Sequence, residues 1–194
     1  YIASAKIFHT TGITLALSES CRKAALKAIE AARSGDTEVS FDTNIRLKLW
    51  SPEEARKVIM NYIGLCDIIF TDPQDAGILL GEDDPSKAAE KFLELGPHTV
   101  VVKLGEKGAY ATTSDGEKAL KESFKVPVVD VIGAGDAFDA AFVSCRLRGW
   151  SLERCLEVAN AAGALCVTVR GDVEAIPTFE DVERFLSGRG HVFR

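Results

Sequence analysis

The sequence predicts an α/β protein in which a mostly parallel sheet is covered by helices on both faces. Three observations predict it. Short apolar and β-branched runs alternate along the chain with longer stretches of helical periodicity. No repeat, low-complexity tract or Pro/Gly-rich linker interrupts that alternation, so the 194 residues read as one domain. The composition, 46% hydrophobic and 27% charged, belongs to a packed soluble chain and not to a disordered one.

The elements follow in order. Lys6–Thr10 reads as a strand. Ser18 is an N-cap for a helix reaching about Arg33 and stopped by Gly35. Val39–Asp42 is the second strand. Ser51-Pro52-Glu53-Glu54 has the form of a capping box with Pro at the first helical position, opening a helix to about Leu65. Asp67–Thr71 is a strand, followed by a short helix near Gln74–Leu80. Asp84-Pro85 opens another helix, to about Leu95. Thr99–Leu104 and Ala109–Thr113 are strands joined by a Gly-Glu-Lys-Gly turn. Val126–Asp130 reads as a last short strand. Helices follow at about Ala134–Arg148, Leu152–Val169 and Phe179–Leu186. In such sheets ligands sit at the carboxyl ends of the strands.

Charge and composition exclude several functions. There are 23 basic against 29 acidic residues, a formal −6. A non-specific nucleic-acid binder needs a basic excess or stripe, so no nucleic-acid partner is expected. The longest apolar runs are far too short to span a bilayer, and no membrane partner is expected. The five cysteines, at 21, 66, 145, 155 and 166, form no CxxC pair, and the three histidines stand apart. Zinc needs clustered ligands, so the cysteines read as small core residues. Together with the lack of a secretory pattern at the start, this points to a cytoplasmic protein. The chain begins in the run-up to a strand without Met, so an upstream part is expected to be absent.

The most informative run is Val129-Asp130-Val131-Ile132-Gly133-Ala134-Gly135-Asp136-Ala137-Phe138. Small residues let the backbone turn sharply and expose several N–H groups, and the helix that follows points its positive end at the same place. That is an anion hole, and an acid inside it, Asp136, can stay ionised and serve as a base toward a hydroxyl. A plain N-capping Asp after a Gly-rich turn has the same appearance. The Walker loop GxxxxGK[ST] occurs nowhere, and the dinucleotide fingerprint GxGxxG fails because Phe138 stands where a small residue is needed.

The run DVIGAGDAF resembles the DTxGAGDxF signature of the ribokinase-like (pfkB) carbohydrate kinases, with Val131 in place of the usual Thr. The resemblance implies that the backbone of Gly133, Ala134, Gly135 and Asp136 forms the anion hole for the transferring phosphoryl group, and that Asp136 is the catalytic base and contacts the substrate.

Other segments agree in the same order. Val101-Val102-Lys103-Leu104-Gly105-Glu106-Lys107-Gly108 could be a mere hairpin, but it resembles the VKLGxxG segment that lines the ATP site in this family. The resemblance makes Lys103, Leu104, Gly105, Glu106, Lys107 and Gly108 nucleotide-binding, the glycines by close approach and a Lys by meeting phosphate charge. Phe41-Asp42-Thr43-Asn44-Ile45-Arg46-Leu47-Lys48-Leu49-Trp50 leaves a strand and presents Asn44 and Arg46 from the loop. Arg suits bidentate pairing with a carboxylate or phosphate, although a surface salt bridge looks the same. The segment resembles the FDxNxRxxLW stretch of 2-keto-3-deoxygluconate kinases. That resemblance places Arg46 on the substrate carboxylate and puts Asn44, Ile45 and Arg46 on the nucleotide side.

Thr71-Asp72-Pro73-Gln74-Asp75 stands where the family has NxxE. Asp72 and Asp75, three residues apart, could hold hydrated Mg²⁺, or be an N-cap and a first-turn acid. Ala159-Asn160-Ala161-Ala162-Gly163-Ala164 is a helix face of small residues, suited to tight helix packing or to a flat base. The resemblance makes Asn160 a nucleotide contact. Val169-Arg170-Gly171-Asp172 resembles the archaeal type of ketodeoxygluconate kinase, which assigns Asp172 to the sugar acid.

The resemblance implies a three-layer ribokinase-like fold whose N-terminal part, including a β-sheet lid, lies outside this chain. It implies an ATP- and Mg²⁺-dependent kinase of a sugar or sugar acid, most like 2-keto-3-deoxygluconate or galactonate, homo-oligomeric when complete. A nucleoside or simple-sugar kinase, a non-catalytic nucleotide-binding module and, more remotely, a nicotinamide oxidoreductase are the other readings.

Overall fold

The computed structural model describes residues 1–188. They form two compact units, Tyr1–Lys103 with Tyr110–Glu117, and Leu104–Ala109 with the chain from Lys118 onward.

The first unit is the sheet with its crossover helices. Its strands are β1 (Ile7–Thr11), β2 (Glu38–Asp42), β3 (Ile68–Thr71), β4 (Thr99–Lys103) and β5 (Ala109–Thr113), the last beginning at the unit boundary. They lie side by side in chain order, and β1 through β4 are parallel. In register, Asp42 stands opposite Phe70, and Phe70 opposite Val101. Helices α1 (Gly12–Leu17), α2 (Glu19–Arg33), α3 (Pro52–Ile63), α4 (Pro73–Leu80) and α5 (Pro85–Leu93) make the crossovers.

The order of these residues explains the order of the layers. In β2, β3 and β4, residues of both pleat directions are buried: Val39, Phe41, Ile68, Ile69, Phe70, Val100, Val101 and Val102 have essentially no exposed surface. Continuous apolar runs are what a parallel sheet covered on both faces requires. Each large side chain buried there contributes roughly 1.5–3 kcal/mol. The helices turn alanine-rich stripes inward, such as Ala25, Ile29 and Ala32 on α2 and Ala88, Ala89 and Phe92 on α5. Ser18, Ser51, Asp72 and Asp84 cap α2 to α5, each accepting a backbone N–H three residues on.

The second unit holds strand β6 (Lys118–Lys121) and helices α6 (Ala134–Arg146), α7 (Leu152–Cys166) and α8 (Phe179–Leu186). Gly163 allows α7 to reach the start of α6: a Cβ there would stand 3.3 Å from the Ala134 carbonyl oxygen. Nearly the whole length of α7 is buried.

The structure corrects the sequence reading in four places. Val126–Asp130 is not a strand: Pro127 has no N–H to donate, Val128 and Val129 are exposed, and the N–H groups of Val129 and Asp130 both go to the Val167 carbonyl. A strand occurs earlier, at β6, after a Thr113–Glu117 turn containing Asp115-Gly116. Helix α1 was not anticipated. At Ser51 only half of the capping box forms: Ser51 Oγ accepts the Glu54 N–H at 3.2 Å, but the Glu54 carboxylate pairs with Arg22 at 2.7 Å. The complete box is at Thr178–Asp181, opening α8.

Candidate active site

In the first unit the candidate residues gather where β2, β3 and β4 end. Asp42 closes β2 and is almost fully buried. Lys103, at the end of β4, reaches over the Phe70 ring of the intervening strand, its Nζ 5.7 Å from the ring centroid, and donates to Asp42 Oδ2 at 2.8 Å. The ammonium expected to meet nucleotide phosphate is therefore committed to a buried carboxylate in this structure. Breaking such a pair would strand a charge in a site of low polarity.

Beyond Asp42 the chain makes the loop that carries Asn44 and Arg46. Asn44 has φ +35°, the single non-glycine residue with positive φ among those described. Its conformation is held from below by Asp75. That carboxylate is 4% exposed, and its Oδ2 accepts the Thr43 hydroxyl at 2.6 Å and the Ile45 N–H at 3.0 Å. Thr43 Oγ1 also lies 3.1 Å from Thr71 Oγ1. Burial pushes the Asp75 carboxyl up to about 6; the Thr43 and Ile45 hydrogen bonds oppose the shift, and the nearby Asp72 and Asp42 add to it. Gly12, at the start of α1, completes the support: a Cβ there would lie 2.0 Å from the Thr43 carbonyl oxygen. Arg46 projects outward, exposed, and among the described residues no carboxylate pairs with its guanidinium. Ile45 is buried beneath it.

The expected magnesium pair does not fit this geometry. Asp72 Oδ1 accepts the Asp75 N–H at 2.8 Å and caps α4. Asp75 faces inward onto Thr43 and Ile45, whereas hydrated Mg²⁺ needs carboxylate oxygens open to water. Among the described residues no group of three or more His, Cys, Asp or Glu is placed to hold a metal ion. Asp75 shapes the loop, and no metal chemistry is assigned to it.

In the second unit the Gly-rich turn opens α6. Gly133, at φ +78°, is the N-cap and offers no side-chain hydrogen bond to the helix. The N–H groups of the first turn, from Ala134, Gly135 and Asp136, have no carbonyl partner within a helix of this geometry. Asp130 Oδ1 accepts the Ile132 N–H at 3.1 Å and shapes the approach to the turn. Asp136 is exposed in the first helical turn. Asp172 closes on the same point: a Cβ at Gly133 would lie 2.7 Å from Asp172 Oδ1 and 3.6 Å from Cys166 Sγ. Beneath the turn the buried Cys166 thiol points to the Ile132 carbonyl at 3.6 Å. Burial pushes that thiol up, and Asp172, Asp136 and Asp130 add to the shift. The turn thus combines open N–H donors, which fit a phosphate group, with two carboxylates, Asp136 and Asp172.

The segment from Leu104 to Gly108 is a tight turn closed by the Leu104 N–H on the Gly108 carbonyl at 2.8 Å. Gly105, Glu106 and Lys107 are exposed, and Gly105 has open space around it. Gly108 was expected to let a nucleotide approach. Its close neighbour is instead the chain itself: a Cβ would stand 1.9 Å from the Lys121 carbonyl oxygen. Asn160 serves the same backbone. It is 4% exposed and its Nδ2 donates to the Lys121 and Glu122 carbonyls at 3.1 and 3.3 Å. Its amide nitrogen is a brace for the end of β6, not a group turned to a ligand.

The sequence reading missed Asp42, Thr43 and Gly12. Asp42 carried a signal as part of the FDxNxRxxLW stretch, and Gly12 as a glycine close after a strand.

Comparison with known proteins identifies the family. Residues 1–179 match the model of the pfkB family of carbohydrate kinases, and the chain belongs to that family. It is 44% identical over 187 residues to a 2-dehydro-3-deoxygluconokinase of Thermoproteus tenax, covering 95% of this chain and 56% of the relative. It is 38% identical over 189 residues to a 2-dehydro-3-deoxygalactonokinase of Haloferax volcanii, covering 96% and 59%. Among solved structures it is similar to a candidate Ribokinase II from E. coli in complex with ATP and Mg²⁺, with a TM-score of 0.86, 33% identity, and 94% of this chain and 59% of that one covered. The chain thus spans a little over half the length of the curated relatives it matches. Among the described residues no helix is long and apolar enough to cross a membrane.

Proposed function

We propose that this chain carries the ATP-binding and phosphoryl-transfer part of a sugar-acid kinase, acting on 2-keto-3-deoxygluconate or 2-keto-3-deoxygalactonate to give the 6-phosphate. The observation that carries the reading is the Gly133–Asp136 turn: open N–H donors at the start of a 13-residue helix, with an exposed Asp136 in its first turn and Asp172 beside Gly133.

The roles follow from the chemistry of each group. The substrates are ATP, as its magnesium complex, and the sugar acid. Asp136 takes the proton of the primary hydroxyl as its oxygen attacks the γ-phosphorus in line. The N–H groups of Ala134 to Asp136 stabilise the charge on the transferring phosphoryl group, an electrostatic contribution already oriented before the reaction. Arg46, exposed and without a carboxylate partner among the described residues, receives the substrate carboxylate. Asn44, fixed at positive φ by the Asp75 support, presents its amide to nucleotide phosphate. The exposed Gly105–Lys107 turn lines the nucleotide. Asp172 contacts the sugar acid. The reaction belongs in the cytoplasm, where the five free thiols stay reduced.

Asp136→Asn tests the reading. In a coupled ADP-release assay with ketodeoxygluconate, turnover is expected to fall by about a hundredfold or more while ATP binding persists. Turnover near wild type would remove Asp136 as the base. The coverage of the relatives favours one second reading, a nucleotide-binding module: ATP binding by calorimetry with no phosphorylation of any sugar acid would support it.

A further inference from the structure

The loop after β2 is held at more points than a surface loop needs. Asn44 sits there at φ +35°. Asn tolerates this region better than most residues, but backbone of this kind persists only where its surroundings over-determine it, and it collects at functional sites. Each neighbour of Asn44 is tied to a different element. On its far side the Ile45 N–H donates to Asp75 of α4 at 3.0 Å. On its near side the Thr43 N–H donates to the Phe70 carbonyl of β3 at 2.9 Å, and the Thr43 carbonyl is packed against Gly12 of α1. One residue earlier the tie is ionic: Lys103 Nζ, from the end of β4, donates to Asp42 Oδ2 at 2.8 Å. Arg46, exposed, follows these anchors directly, and the stretch closes on the buried Trp50.

The ionic tie is the unusual one. The Asp42 side chain is 5% exposed and that of Lys103 19%, and the ammonium crosses the face of Phe70 to reach its partner. A buried ion pair adds little to stability over apolar side chains of similar volume. The positions around it, Phe41, Phe70, Val101 and Val102, are apolar and fully buried, so the sheet could have been completed in the same way. What the pair supplies and apolar packing does not is direction. It fixes the end of β2 against the end of β4 across the intervening strand, at the carboxyl edge where such sheets bind their ligands.

We propose that Lys103 and Asp42 are positioning residues: their ion pair holds the root of the loop so that Asn44 is presented to nucleotide phosphate and Arg46 to the substrate carboxylate. Lys103 acts through Asp42 and contacts neither substrate. What the loop binds rests on the kinase reading; that the pair orders the loop does not.

The test is the double variant Asp42→Asn/Lys103→Met. Lys103→Met alone strands the Asp42 carboxylate and is expected to destabilise the fold, whereas the double variant removes both charges and is expected to unfold in urea near the wild-type midpoint. Hydrogen exchange of the folded chain reads the loop without any substrate. The Ile45 N–H is expected to lose about tenfold or more of its protection while residues 68–70 of β3 keep theirs. In the coupled ADP-release assay KM for ketodeoxygluconate is expected to rise about tenfold or more with kcat within about threefold, the signature of lost binding and not of lost chemistry. The proposal is overturned if Ile45 keeps its wild-type protection, if protection is lost equally at 68–70, which would make the pair a plain support of the sheet, or if kcat falls with KM unchanged. A wild type without turnover would overturn the kinase reading, and the exchange result would still decide the tether.

Discussion

Replacing Asp75 by Asn and by Ala separates its charge from its hydrogen bonds. The folded carboxyl titrates at about 6 against an ordinary 3.8, with burial as the main cause. The folded value is the higher one, so the folded state holds this proton more tightly than the unfolded chain does. Its contribution to stability is therefore fully present below about pH 4 and is lost as pH rises through 6. The difference corresponds to roughly 3 kcal/mol by the conversion of pKa into free energy. Asn keeps an oxygen for the Thr43 hydroxyl and the Ile45 N–H and removes the buried charge. At pH 7 that variant is expected to be as stable as wild type or up to ~3 kcal/mol more stable, and the gap is expected to close toward pH 4. Ala removes both acceptors. The Thr43 hydroxyl can turn to Thr71 Oγ1, 3.1 Å away, so the Ile45 N–H is the group left unsatisfied. That orphan costs about 1–3 kcal/mol, partly offset by loss of the charge. The assay is urea unfolding of the three proteins at half-unit steps from pH 4 to 7.5, read as the difference from wild type so that other groups cancel. A stability gap between Asn and wild type that does not change with pH, or an Asn variant less stable than Ala at pH 7, would refute the account of Asp75 as a buried loop support.

Three further substitutions probe the site and the turn beside it. Arg46→Ala is expected to raise KM for a sugar acid by about 10- to 100-fold more than for a neutral sugar, because only the acid loses a charge-assisted pair of roughly 1.5–3 kcal/mol; equal effects in a substrate panel would make Arg46 structural. Gly108→Ala is expected to lose at least ~2 kcal/mol of stability, since its Cβ would enter the Lys121 carbonyl at φ +101°. Gly105→Ala, at φ +60° with open space, should lose only about 1–2 kcal/mol. Equal urea midpoints for the two variants would contradict the packing at Gly108.

Most of the fold was legible because the deciding signals were local. The N-caps at Ser18 and Ser51, and the Asp-Pro pairs at 72–73 and 84–85, fixed where α2 to α5 begin, since side-chain oxygens there satisfy N–H groups a few residues away. The apolar runs of β2 to β4 fixed the centre of the sheet. Val126–Asp130 misled for the converse reason. Its β-branched residues fit a strand, but a strand exists only with a ladder partner, and Pro127 weakens any ladder. The Asp115-Gly116 turn was the stronger hairpin signal, and it precedes β6.

The site was legible in its residue types and much less so in their commitments. The Gly133–Asp136 turn could be read because its conformation depends on its own small residues and on the helix that follows. Lys103 could not: its partner Asp42 lies two strands away, and nothing in the spacing of either residue announces the pair. The same limit explains Asn160 and Gly108, which look like ligand contacts in a nucleotide-binding family until the end of β6 is seen to occupy the place where each would act. A polar side chain on a small-residue helix face, or a glycine in a turn, marks a close approach. Whether the approaching group is a ligand or the chain's own backbone depends on contacts distant in sequence. Here the Lys121 and Glu122 carbonyls settle both residues at once, because the Asn160 amide and the bare Gly108 Cα meet the same two peptide units.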